Sequence, residues 1–242
     1  MSGDFESEGK ENMRGAFILF EGVDRCGKTT QAQRLVESLR AQGPVEFMRF
    51  PDRTTGIGQM INSYLQSDTD LDDKAVHLLF AANRWEAKSR LESLLQAGTT
   101  VVVDRYSYSG VAFSAAKEGM QVDWCMQPEV GLPAPDGVIY LDLTVEQAMT
   151  RGAFGEERYE KEDMQRKVRD NFFALMQGTG AGAGADTAWH VLDASKSMDE
   201  VTAEVQKVAA CIIKAAQQRP VGTLSWSAAA GAGAVSGGGD ST

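Results

Sequence analysis

Short apolar runs alternate with longer amphipathic stretches through most of this chain. Residues 16–20 (Ala-Phe-Ile-Leu-Phe) form a continuous apolar run and predict a buried strand. A glycine-containing loop follows. Residues 28–42 then show helical spacing, with Leu35 and Leu39 on one face, and Gly43-Pro44 stops the pattern. Residues 45–50 predict a second strand and 56–66 a short helix. From 72 to 96, Ala75, Leu78, Leu79, Ala82, Leu91, Leu94 and Leu95 recur at steps of three and four, predicting a long helix ended by Gly98. The β-branched run at 99–103 predicts a strand covered on both faces, as in a parallel sheet. Further on, the pattern predicts helices at 107–118, 145–151, 160–177 and 198–217, and strands at 138–143 and 189–192. Strands separated by helices imply βα units, hence an α/β fold on a parallel sheet of about five strands.

Length changes little: 242 residues fit one α/β domain. Charge excludes more. A formal net charge of −10 opposes nucleic-acid binding, which needs a basic footprint, but allows a single nucleotide to be held by a few aimed cations. Residues 1–14 are polar and acidic, unlike a secretory or Arg-rich leader, and no apolar run reaches the roughly 18 residues of a membrane span. Cys26, Cys125 and Cys211 are odd in number and far apart, so no disulfide framework is implied. A soluble protein of the cytoplasm or another intracellular compartment is expected, with no membrane or nucleic-acid partner. The Gly/Ala-rich segment 178–185 reads as a flexible insertion, and 1–14 and 227–242 as disordered tails around a domain at 15–226.

The chemistry starts at Gly22-Val23-Asp24-Arg25-Cys26-Gly27-Lys28-Thr29, a G-x-x-x-x-G-K-T match between a predicted strand and a predicted helix. Gly22 and Gly27 let the backbone curl so that N–H groups face phosphate oxygens, and the helix N-terminus adds positive potential. Lys28 supplies a cation to the β- and γ-phosphates, and the Thr29 hydroxyl can ligate Mg²⁺. Arg25 stands where an arginine finger in cis would act. Asp24 repels phosphate and must serve another group, such as a hydroxyl of a second substrate; the alternative is a surface Asp24–Arg25 pair. Cys26, beside a helix N-terminus and Lys28, is a candidate thiolate whose alkylation would inactivate and ATP would protect, against the plainer reading of a small inert residue.

A second group gathers at strand ends, where open α/β sheets bind ligands. Asp104 can orient Mg²⁺ through water, and Arg105 can bridge two phosphates; the alternative is a strand-end salt bridge. Phe50 and Arg53 end the second predicted strand, and Arg53 suits a bidentate phosphate contact. Phe80 and Arg84 share a helix face, offering a ring to stack on a base and a guanidinium to donate to a carbonyl; spacing alone serves a core Phe with a surface Arg equally well. Residues 151–160, with their glycines and the paired Arg151 and Arg158, suit a lid over phosphates, against the commoner reading of a solvated loop.

Taken together, F-E-G-V-D-R-C-G-K-T-T-Q, R-F-P-D-R, L-F-A-A-N-R-W-E, D-R-Y-S-Y-S-G-V-A-F, D-W-C-M-Q-P-E-V-G-L-P-A-P-D, R-G-A-F-G-E-E-R-Y-E, L-D-A-S-K-S and R-P-V-G-T-L-S-W resemble thymidylate kinases of the eukaryotic type, in family order from about residue 16 to Trp226. The resemblance implies a three-layer P-loop nucleoside monophosphate kinase fold, ATP and dTMP as substrates, Mg²⁺, and a homodimer. It implies that Asp24 holds the deoxyribose 3′-OH and Arg25 acts on the transferring phosphoryl. Lys28, Thr29 and Thr30 would bind ATP phosphates, with Arg151 over adenine and Ser195 and Lys196 nearby. Arg53 and Arg105 would clamp the dTMP phosphate, Phe80 would stack on thymine and Arg84 would hydrogen-bond it. Ser109, Gly110, Phe113 and Tyr159, with Phe50, would shape the acceptor pocket. Cys26 stands where the family often has a smaller residue, and Glu156-Glu157 make the lid's charge mixed. The nearest rival is another nucleoside monophosphate kinase, for UMP or CMP. A GTPase switch is disfavoured because the N-K-x-D guanine motif is absent.

Overall fold

The β-branched and apolar runs assemble into one five-stranded parallel sheet in the order β2-β3-β1-β4-β5. The computed structural model describes residues 13–151, 155–178 and 187–225. Most of the tail expected over 1–14, nearly all of the 178–185 insertion, the whole 227–242 tail and residues 152–154 of the lid lie outside the described residues. The strands are β1 (Phe17–Glu21), β2 (Val45–Arg49), β3 (Thr100–Asp104), β4 (Gly137–Asp142) and β5 (Ala188–Asp193). The helices are α1 (Lys28–Leu39), α2 (Gly56–Leu65), α3 (Asp73–Gln96), α4 (Ser107–Ala115), α5 (Val122–Met126), α6 (Val145–Met149), α7 (Glu162–Gln177) and α8 (Met198–Ala216). Helix α5 and a 3₁₀ turn at Gln127–Glu129 are additions to the sequence reading; five residues are too few to show a helical period.

The period-2 geometry of a strand explains the three layers. Phe17, Leu19, Val101, Val103, Val138 and Tyr140 point to one face, packed beneath α3, α4 and α7 residues such as Leu91, Val111 and Phe172. Ile18, Phe20, Val102, Ile139 and Leu141 point to the other, against Leu35 of α1 and Val205 of α8. At the edge of the predicted N-terminal tail, Arg14 pairs with Asp136 at 2.6 Å, joining the start of β1 to that of β4.

Helix α3 departs from its predicted stripe. Leu91 and Leu95 are buried as expected, but Leu78 is 47% exposed, and Val76, His77, Ala81, Asn83 and Arg84 face inward. Polar groups are affordable there because each is bonded. His77 Nδ1 meets the Ser114 hydroxyl at 2.7 Å and Nε2 meets the Cys125 carbonyl at 3.0 Å; Asn83 accepts from the Asp52 N–H at 2.7 Å. Burial lowers the His77 pKa to about 4, so the ring is neutral at pH 7.

Candidate active site

Strand β1 ends at Glu21 beside the end of β3, where Phe20 is in register with Asp104. The loop 22–27 between β1 and α1 therefore opens at the carboxyl edge of the sheet. Gly22, at φ 147°, is required twice over: a Cβ would lie 2.7 Å from the Leu141 carbonyl oxygen and 2.8 Å from Cys26 Sγ. Lys28 Nζ donates to the Val23 carbonyl at 2.6 Å and lies 3.5 Å from Cys26 Sγ. The Thr29 hydroxyl donates to Asp104 Oδ2 at 2.5 Å, while Asp104 Oδ1 is buried with no partner among the described residues.

Two arginines sit in left-handed backbone geometry, Arg25 at φ 63° and Arg105 at φ 68°. Such positions cost a non-glycine residue about 1 kcal/mol or more, so the surroundings must hold them. Arg105 donates from Nη1 to the Gly22 carbonyl and the Ser109 hydroxyl, from Nη2 to Asp24, and its guanidinium lies 5.1 Å from the Phe113 ring. Arg25 makes a two-pronged contact with Glu160 of the lid, at 2.8 and 3.2 Å. Asp24 thus pairs with Arg105, not with its neighbour Arg25.

Four groups that the sequence reading passed over hold these side chains. Glu21, fully buried, accepts from the N–H groups of Tyr106 and Ser109 and from the Ser109 hydroxyl, so it caps α4 and fixes Ser109. Burial pushes its carboxyl above the ordinary value, against the pull of the Ser109 hydroxyl and the Arg105 charge. Gln165 accepts from the Asp24 N–H at 2.9 Å and donates to Asp24 Oδ2 at 2.5 Å. Glu160 also accepts from the N–H groups of Gly155 and Glu156, so one carboxylate ties the start of segment 155–160 to Arg25. Glu129 holds Arg84. The F-E-G and P-E-V-G motifs contained two of these residues, but only contact assigns them a task.

A cavity of about 910 Å³ opens over this edge. Asp24, Arg25, Gly27, Lys28, Thr29, Thr30 and Asp104 line it. Phe50, Arg53, Phe80, Arg84, Arg105, Ser109, Gly110, Phe113 and Tyr159 line the same cavity, with Arg151 and Lys196. Gly22 and Ser195 do not line it. Arg151 donates to the carbonyls of Arg25 and Ala194, bridging the loop after β1 to the loop after β5. Ser195 turns back on Asp193, and Lys196 pairs with Glu204 at 2.5 Å. Arg53 reaches Asn62 and the lid residue Glu157, each at 2.8 Å.

The geometry combines a phosphate-binding loop with a second cationic, aromatic-lined compartment. A profile of the thymidylate kinase family matches residues 20–205. The chain belongs to the thymidylate kinase family. The thymidylate kinase of Danio rerio is 49% identical over 87% of this chain and 97% of its own length. That of Homo sapiens is 47% identical, with the same coverage of both chains. A solved structure of thymidylate kinase from Candida albicans superposes with a TM-score of 0.77 at 32% identity, covering 88% of this chain and 99% of that one. The three-layer nucleoside monophosphate kinase fold expected from the sequence is the one found, and the rival P-loop switch is excluded. Among the described residues, no helix is long and apolar enough to cross a membrane.

Proposed function

We propose that this chain transfers the γ-phosphoryl group of ATP to the phosphate of dTMP, giving ADP and dTDP for dTTP synthesis. One observation carries the reading: the phosphate loop and the side chains of Arg53, Phe80, Arg84 and Arg105 line a single cavity, so donor and acceptor phosphates can meet in one space.

In this reading the loop N–H groups, Lys28, Thr29 and Thr30 hold the ATP phosphates. Arg151 covers adenine, with Ser195 and Lys196 nearby. Arg53 and Arg105 clamp the acceptor phosphate. Phe80 stacks on thymine, Arg84 donates to it, and Phe50, Ser109, Gly110, Phe113 and Tyr159 shape the pocket. Asp24 accepts the 3′-OH, oriented by Gln165 and Arg105. The acceptor phosphate is already an anion, so no general base is needed. Two anions must be brought together, and Arg25, Lys28 and Arg105 stabilise the charge that spreads during in-line transfer. No covalent intermediate forms on the protein.

The residues present suit Mg²⁺. Thr29 offers a hydroxyl, and Asp104 Oδ1 is a buried acceptor with no partner among the described residues, matching a hard cation held partly through water. Bound there, it would neutralise and align the phosphate oxygens.

A homodimer is supported by an exposed apolar patch: Leu78 and Trp85, two turns apart on α3, with Val130 next to the turn that Trp85 grips. Three free thiols suit a reducing, cytoplasmic setting. The decisive experiment follows ADP release with MgATP and each nucleoside monophosphate in turn. Turnover with dTMP well above that with UMP or CMP is expected; no turnover with dTMP would overturn the assignment.

A further inference from the structure

We infer that Glu129 sets which pyrimidine the cavity accepts, by holding the Arg84 guanidinium as a rigid wall of hydrogen-bond donors. Glu129 is then a positioning residue for the base, carried on the short turn after α5. The inference rests on the reading above that a pyrimidine occupies the Phe80–Arg84 end of the cavity.

Arg84 is 2% exposed and Glu129 fully buried. Arg84 donates from Nε to Glu129 Oε2 at 2.8 Å and from Nη2 to Glu129 Oε1. The carboxylate therefore takes one edge of the guanidinium. Nη1 has no hydrogen-bond partner among the described residues, and Arg84 lines the cavity.

Two further contacts remove the freedom that remains. Gly110 lies against the guanidinium, so close that a Cβ there would fall 2.4 Å from Nη2. The turn bearing Glu129 is clamped to the same helix, because Trp85 Nε1 donates to the Pro128 carbonyl at 2.7 Å, and it closes on itself where the Leu132 N–H donates to the Glu129 carbonyl at 3.2 Å. Consecutive residues of α3 thus grip consecutive residues of the turn.

A guanidinium has donors and no acceptor. Held in one orientation, it satisfies a base that presents a carbonyl and opposes one that presents an amine, because donor would then face donor. Thymine and uracil carry a carbonyl where cytosine carries an amine. Without Glu129 the guanidinium can rotate or hydrate, and the discrimination fades. Rigidity, not the presence of arginine alone, makes the wall selective.

The test measures kcat/KM for dTMP, dUMP and dCMP, and the KM for ATP, in the full chain and in Glu129→Gln, Glu129→Asp and the double variant Arg84→Met/Glu129→Met. In Glu129→Gln the dTMP KM should rise about tenfold to a hundredfold, the range expected for a charged hydrogen bond lost to a base. The dTMP:dCMP ratio should fall by a similar factor. The dTMP:dUMP ratio and the ATP KM should stay within twofold. Glu129→Asp keeps the charge and should recover most of the ratio. The double variant leaves no buried charge unpaired, so it keeps the test available if Glu129→Gln does not fold, and it should show the same loss of discrimination. A dTMP:dCMP ratio within twofold of the unaltered protein, in Glu129→Gln or in the double variant, overturns the inference while leaving the kinase reading intact. An unaltered protein with no turnover of any of the three overturns both.

Discussion

Replacing Gly110 by alanine sets two effects of known size against each other. Gly110 lies inside α4 with ordinary helical backbone, so alanine should gain about 1 kcal/mol of helix propensity. The new Cβ would sit 2.4 Å from Arg84 Nη2, 3.0 Å from Cζ and 3.2 Å from Nη1. Relief needs a shift of about 1 Å to reach ordinary contact. The far end of a free arginine would move cheaply, but this one is bonded through two nitrogens to a buried carboxylate. Overpacking of this kind costs roughly 1–3 kcal/mol. The net stability change should therefore be a loss of no more than about 2 kcal/mol, a fall in Tm of several degrees. The functional cost should be larger, because a 1 Å misplacement at a site of this kind can cost on the order of a hundredfold. We expect Gly110→Ala to raise the dTMP KM at least tenfold, with the ATP KM unchanged, by steady-state kinetics alongside thermal unfolding. A dTMP KM within twofold of the parent, in a folded variant, would refute the claim that Arg84 is immobile.

Arg25→Ala should lower kcat about a thousandfold or more with smaller changes in either KM, because its charge matters most in the transition state; an unchanged kcat would remove it from that role. Arg53→Ala should chiefly raise the dTMP KM, and an effect confined to ATP would contradict its placement beside the acceptor phosphate. His77 titrates near 4 when folded and near 6.5 when unfolded, so the unfolded chain binds more protons between those values. The stability it contributes is complete above about pH 6.5 and is lost as pH falls toward 4, by up to about 3 kcal/mol. Chemical denaturation of His77→Gln should lack that component, and parallel pH profiles for the two proteins would contradict it. Cys26 is buried whereas Cys211 is exposed, so alkylation should label Cys211 first, with Cys26 following slowly and more slowly still under MgATP. Rapid labelling of Cys26 without loss of activity would show the thiol to be inert.

Local chemistry was legible before any contact was known. The strand–loop–helix at 17–39, the glycine at position 22 and the alternation of strands with helices all follow from backbone sterics and side-chain period. These act over a few residues, so a linear reading finds them. The α3 stripe shows where that reading stops. Its spacing selects Leu78 for the interior, yet His77, Asn83 and Arg84 are buried, because Ser114, Asp52 and Glu129 supply their hydrogen bonds. Burial of a polar side chain depends on a partner, and the partner need not be near in sequence.

By itself the sequence determined the phosphate loop, the parallel α/β layering and the cations that line the cavity, since each rests on short-range geometry or residue chemistry. The tertiary structure alone decided which carboxylate or amide holds which group: Glu160 on Arg25, Gln165 on Asp24, Glu21 on Ser109 and Glu129 on Arg84, at separations of 135, 141, 88 and 45 residues. Such pairings depend on distance and direction in space, and these exist only once the sheet has brought its strand ends together.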